Sequence, residues 1–141
     1  MGKINMQRVV LGGLLAGVVL NVVDFILYGV VLKDDFAAAM QALGKQPPAD
    51  SAIAVFVLLD FLYGIALVWT YAAIRPRFGV GPRTAVYAGL FVWVLVGLLH
   101  WIGEAPMGLL PQRFYLIGTV VFLIVAPLAA VVGAKYYTEP A

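Results

Sequence analysis

The chain has no cysteine. That excludes disulfide frameworks, thiolate metal sites, iron–sulfur ligation and thiol redox chemistry together. Serine is nearly as scarce: Ser51 is the only one, next to Asp50, where either residue could cap a following helix. No lysine or histidine stands in pattern with it for acyl transfer. The single histidine, His100, cannot supply bis-histidine haem ligation within one chain. No HExxH zinc motif and no phosphate-binding glycine loop is present. Charge is the last shortage. Only 11% of residues are charged, against about 25% in soluble domains. The net charge of +2 is too mild to point to a nucleic-acid partner. These absences read against an enzyme. An aspartate pair can catalyse hydrolysis within membranes, but the context here does not match such enzymes.

What fills the chain instead is apolar: 64% of the 141 residues are hydrophobic. A helix needs roughly 20 apolar residues to cross ~30 Å of hydrocarbon. Four stretches meet that length, 9–32, 53–74, 84–102 and 114–137. The first is longer than the ~7–15 apolar residues of a signal peptide, so it reads as a retained span. The expected fold is an all-α, polytopic membrane protein, a single four-helix bundle over 1–141.

Positive charge near the spans sets orientation. Lys3, Arg8, Arg75, Arg77, Arg83 and Lys135 fall on one side, and Lys33, Lys45 and Arg113 on the other. Six against three predicts both termini in the cytoplasm. The short Pro- and Gly-rich segment 75–83 makes the second and third spans antiparallel neighbours. Its arginines, Arg75, Arg77 and Arg83, are candidates to hold anionic lipid headgroups. In the first outer loop, 35–43 is rich in helix formers and Gly44 is placed to end a helix. Phe36, Met40 and Leu43 share a face there, which predicts a short helix in the headgroup plane.

Small and polar residues mark the faces that pack. The first span carries Gly13, Gly17, Asn21, Asp24 and Tyr28 as one stripe, and the second carries Phe56, Asp60, Tyr63, Gly64, Leu67 and Tyr71. Ala85, Gly89, Trp93, Gly97, His100 and Glu104 form the stripe of the third span, and Gly118, Phe122, Ala126, Ala130 and Ala134 that of the fourth.

An aspartate deep in a span costs about 2.5–3.5 kcal/mol on insertion scales. Asp24 and Asp60 both lie ~5 Å to the outer side of their span midpoints at 1.5 Å rise per residue. Asn21 is one turn from Asp24, Tyr28 is one turn further out, and Tyr63 shares the stripe of Asp60. His100 reaches a similar outer depth, with Glu104 at the rim. Together, Asp24, Asp60, Asn21, Tyr28, Tyr63, His100 and Glu104 outline a ligand- or proton-binding cleft open to the outer side. Three chemistries suit it. The two carboxylates can share a proton, as in a proton-coupled carrier. Oxygen and imidazole can hold a divalent metal. Or the cleft takes a cationic or hydroxylated small molecule between aromatic walls from Tyr28, Tyr63 and Trp101. The plain alternative is that the polar groups only fix helix register. No cofactor is implied.

The stretch Tyr71-Ala-Ala-Ile-Arg-Pro-Arg-Phe-Gly-Val-Gly-Pro-Arg-Thr-Ala85, with Ala88-Gly-Leu-Phe-Val-Trp93, resembles small bacterial membrane proteins of four helices without an assigned activity. Arg8-Val-Val-Leu-Gly-Gly-Leu-Leu-Ala-Gly17 followed by Asn21 resembles the same group. The resemblance implies a bacterial inner-membrane location and transfers no functional residue. The expected function is a binding or accessory protein of that membrane, associated with lipids and with a homo-oligomer or larger complex. The alternative is a proton-coupled carrier acting as an oligomer through Asp24 and Asp60.

Overall fold

The structure, a computed structural model, describes residues 3–139. Helix α1 (Met6–Ile26) begins where the Asn5 side chain accepts a hydrogen bond from the Arg8 N–H at 3.2 Å. It satisfies one of the four donors that a helix start leaves open. The span continues through a π-helical turn, Leu27–Val31. Leu32 is fully buried and links it to α2 (Lys33–Ala42), which ends as Gly44 turns to φ +66°. A helix thus forms in the first loop, a little earlier than 35–43. Its buried residue is Ala39, Phe36 and Met40 are half-buried, and Leu43 is 41% exposed. Its inner face is therefore one position out of step with the Phe36–Met40–Leu43 expectation.

Helix α3 (Asp50–Phe78) is longer than the expected 53–74 at both ends. Neither Asp50 nor Ser51 caps it: the N-cap is Ala49, with no side-chain cap bond. At its other end the helix carries Pro76 in its last turn, where the missing N–H leaves only one carbonyl without a partner. Thr84 closes that end, its hydroxyl donating to the carbonyls of Gly79 at 2.7 Å and Phe78 at 3.2 Å. The connection to the third span shrinks to 79–81, with Gly79 and Gly81 at φ +87° and +131°, angles that only glycine adopts readily.

The third span comprises α4 (Pro82–Val92), a second π-helical stretch Trp93–Leu98, α5 (Leu99–Glu104) and a 3-10 turn Ala105–Met107. It therefore runs past 102 and absorbs much of the expected second outer loop. Helix α6 (Gln112–Ala134) passes through Pro127 and stops three residues short of 137, where Lys135–Tyr137 turn across the bundle end. Met6–Val31, Asp50–Phe78, Pro82–Met107 and Gln112–Ala134 are long and apolar enough to cross a membrane. All elements among the described residues are helical.

The bundle is tightest toward the chain termini. A Cβ at Gly13 would lie 2.5 Å from the Ile65 Cα, and one at Gly64 would strike the Gly13 carbonyl. Gly89 likewise stands against the backbone of Pro127. Val9, Ala16, Leu67, Val68, Ala85, Ala88, Ala126 and Ala130 are completely or almost completely buried around these contacts. The opposite half is looser. None of the first ten residues of α3, Asp50 to Leu59, is buried, and Phe56 is 54% exposed. Phe56 was expected on the packed stripe. The correction is that α3 still meets the first span through the Val57 backbone, while its side chains from Asp50 to Leu59 pack against no other span closely enough to be buried.

Candidate functional site

The first and second spans are held backbone to backbone at Gly13, Gly17 and Gly64, so residues just beyond that contact face each other. Asn21 is the first. Its amide donates to the Gly17 carbonyl at 3.0 Å and across the interface to the Val57 carbonyl at 3.3 Å. Asn21 therefore fixes the register of two spans and does not line the cavity above. Asp24 lies one turn beyond Asn21 on the first span and Asp60 one turn short of it, beside Gly17, and their side chains turn toward each other within hydrogen-bonding reach. Such a bond requires a proton on one carboxyl, since two carboxylates have only acceptors. Asp60 is 9% exposed.

The pair forms part of the wall of a cleft of about 180 Å³. Tyr28 and Tyr63 join it from the first and second spans, and His100 and Trp101 from the third. The fourth span supplies Phe114, Tyr115, Gly118 and Phe122. Tyr28 crosses to the fourth span because Gly118 leaves room: a Cβ there would lie 2.6 Å from its hydroxyl. Its ring also lies 5.4 Å from that of Phe114, inside the range of favourable aromatic pairs. Phe114 in turn stacks on Phe36 of α2 at 5.8 Å. The loop helix is thereby tied to the cleft, with Arg113 reaching Asp35 at 4.0 Å beside it.

Glu104 is not among the cleft residues. It stands at the rim, with Oε1 3.2 Å from His100 Nε2 and the Tyr115 side chain of the fourth span close by. Of the seven expected residues, five line the cleft together: Asp24, Tyr28, Asp60, Tyr63 and His100. Asn21 lies between the levels of Asp60 and Asp24, turned to the Val57 carbonyl, and Glu104 stands at the rim. Among the described residues no group of three or more His, Asp or Glu side chains gathers to hold a metal. The oxygen–imidazole reading is left without a ligand set.

Both π-helical stretches border this cleft, through Leu27 and Tyr28 on one side and Val96 and Gly97 on the other. A π turn carries one extra residue and rotates everything after it by about 100°. Such turns occur often at functional sites, and they leave no composition signal. Two aromatic residues take parts beyond what the sequence assigned, Trp93 having been placed only on the packed stripe of the third span. Phe114 was visible only as an apolar residue at the start of a span. Trp93 donates Nε1–H to the Thr119 carbonyl at 2.9 Å and joins the third and fourth spans below the cleft. The indole N–H of Trp101, on the cleft wall, is shut off from solvent without an acceptor among the described residues.

The three expected headgroup arginines are not gathered into one site. Arg75 turns inward, Nη1 3.7 Å from Glu139 Oε1 and its guanidinium 5.5 Å over the Tyr137 ring. Arg83 donates to the Tyr87 hydroxyl at 2.7 Å, and Arg77 is exposed. Comparisons with protein-family models, with curated proteins and with solved structures find no match for this chain.

Proposed function

We propose that the chain is a small membrane ligand-binding protein whose cleft holds its ligand against a carboxyl pair that shares one proton. The observation that supports this is the contact of Asp24 with Asp60 on a cavity wall. A register-fixing polar group finds a neighbouring carbonyl, as Asn21 does. The two aspartates instead meet each other and face open space. With one proton the pair retains one negative charge. A cavity of about 180 Å³ is close to the ~150 Å³ engineered cavity that accepts benzene. The ligand is therefore about the size of one aromatic ring, with a positive charge or a hydrogen-bond donor to meet the carboxylate. Tyr28, Tyr63 and Trp101 supply ring faces for it.

A bacterial inner-membrane location, with both termini cytoplasmic, is supported by the six-to-three charge bias and the family resemblance. An accessory place in an oligomer or larger complex is supported by the exposed first third of α3, which lipid or a neighbouring subunit covers. The shared proton favours a second reading, a proton-coupled carrier. A carrier must also open the terminal end, and there Gly13, Gly17 and Gly64 close the bundle.

Titration of the detergent-solubilised protein with benzylamine tests the binding reading. Saturable one-to-one binding is expected, abolished in the Asp24→Asn/Asp60→Asn double variant and retained in Asp34→Asn. Absence of saturable binding, together with no small molecule copurifying in mild detergent, would contradict it.

A further inference from the structure

The stripe of α3 that carries Asp60 changes character along its length. Toward the chain termini it is covered: Gly64, Leu67 and Tyr71 follow Asp60 at helical spacing and are all buried. Toward the α2 end the same face continues through Phe56 and Ile53, which are 54% and 53% exposed. A face that points into the bundle at Asp60 is bare one and two turns further on. The third span changes in the same way. Its α4 buries Thr84, Ala85, Ala88 and Gly89, whereas its second π stretch and α5, from Trp93 to Glu104, hold no buried residue.

Three sides of the cleft are cross-linked and the fourth is not. Asn21 bonds the Val57 carbonyl between the first and second spans. Tyr28 pairs with Phe114 between the first and fourth, and Trp93 bonds the Thr119 carbonyl between the third and fourth. Between the second and third spans, the polar and aromatic contacts among the described residues are those of Phe78 with Thr84 and Tyr87, at the terminal end. A gap is therefore left between these two spans at the level of the cleft. Asp60 and Tyr63 border it on one side, and Gly97 and His100 on the other. His100 lines the cleft while its side chain is 62% exposed, as a residue at an opening should be.

We infer that the cleft opens sideways into the bilayer, between the second and third spans, and that its ligand is an amphiphilic amine. The ammonium sits at the aspartate pair, and an alkyl chain leaves through the gap along Phe56 and Ile53. The inference rests on the binding reading above and adds the route and the chain. All four spans are apolar enough to cross a membrane, so the gap faces hydrocarbon, where an apolar chain is at home and a polar ligand is not. The groove ends on the negative charge of the pair, which a cationic head matches and the bare apolar helix of a second copy does not.

Photolabelling of the full chain in lipid nanodiscs tests this, with 4-octylbenzylamine carrying a diazirine at the end of its chain. Free benzylamine is the competitor, because it fills the cleft without reaching the gap. The expected result is label on α3 between Asp50 and Leu59 that benzylamine suppresses. In the Asp24→Asn/Asp60→Asn double variant the suppressible label is expected to fall at least about ten-fold, the factor for one lost hydrogen bond to a charged group. Asp34→Asn, on α2, should leave it unchanged. Suppressible label on α2 or on 43–49 would mean that the chain leaves toward water, and would overturn the inference while sparing the binding reading. Label between Asp50 and Leu59 that benzylamine leaves unchanged would show ordinary lipid contact, and no label there would show a second copy over the groove. Either would overturn the inference even where benzylamine itself binds. Absence of both benzylamine binding and suppressible label would overturn the two readings together.

Discussion

At the closest approach of the first two spans there is no room for a side chain. A methyl group on Gly64 would strike the Gly13 carbonyl and the Gly17 backbone, neither of which can rotate away. Gly64→Ala is therefore expected to cost about 1–3 kcal/mol, the usual range for overpacking, and to lower the melting temperature in detergent. Val22→Ala, at a position 54% exposed, should stay within about 0.5 kcal/mol. Equal tolerance at the two positions would mean that the spans do not meet at glycine. These glycines, and the two aspartates beyond them, were legible because they recur at helical spacing on one stripe. Asn21 shares that stripe and was placed with the cleft for the same reason. A stripe shows which side of a helix faces inward, but not whether a backbone or a cavity stands opposite. The Val57 carbonyl decided that for Asn21.

Among the elements, the four spans were plain from apolar length alone, while their ends were not. Pro76 looked like the start of a turn, yet a proline in a last turn disturbs little that the helix end has not already given up. The carbonyls at the helix end, those of Phe78 and Gly79, found the Thr84 hydroxyl, a partner five and six residues on and invisible to local propensity. The π turns were equally hidden. They redirect Tyr28 and realign the part of the third span beyond Trp93, which is why His100 keeps an exposed side chain, 62% by area, while still bordering the cleft. The connecting elements also carry the orientation. Gln41, on α2, and Val80, in the turn between the second and third spans, are both exposed. Because the chain lacks cysteine, Gln41→Cys and Val80→Cys each provide a single labelling site. On intact cells an impermeant maleimide is expected to label Gln41→Cys, and to reach Val80→Cys only after permeabilisation. The reverse pattern would invert the orientation and turn the cleft toward the cytoplasm.

The molecule as a whole divides at the level of Gly17 and Asp60. On the terminal side, glycine and alanine bring the spans together and leave little space between them. On the other side, larger and polar residues and two π turns open a cleft. This division follows from side-chain size: small residues cluster from Gly12 to Gly17 on the first span and from Ala126 to Ala134 on the fourth. The two aspartates were legible as inward-facing polar residues, but their equal depth was not borne out: Asp60 stands beside Gly17 and Val57 beside Asn21, which sets Asp24 about two turns further out. Of the cleft's aromatic wall, Tyr28, Tyr63 and Trp101 were legible, and Phe114 was not, because the fourth span meets the others there only through the bundle's closure. The account rests most heavily on the shared proton, and the infrared spectrum of the purified protein at neutral pH tests it most directly. The wild type should show the C=O stretch of one protonated carboxyl group, and Asp24→Asn and Asp60→Asn should each remove it, because each leaves a lone carboxylate with no carboxyl partner. A wild-type spectrum without that band, or a band that survives in both variants, would contradict the account.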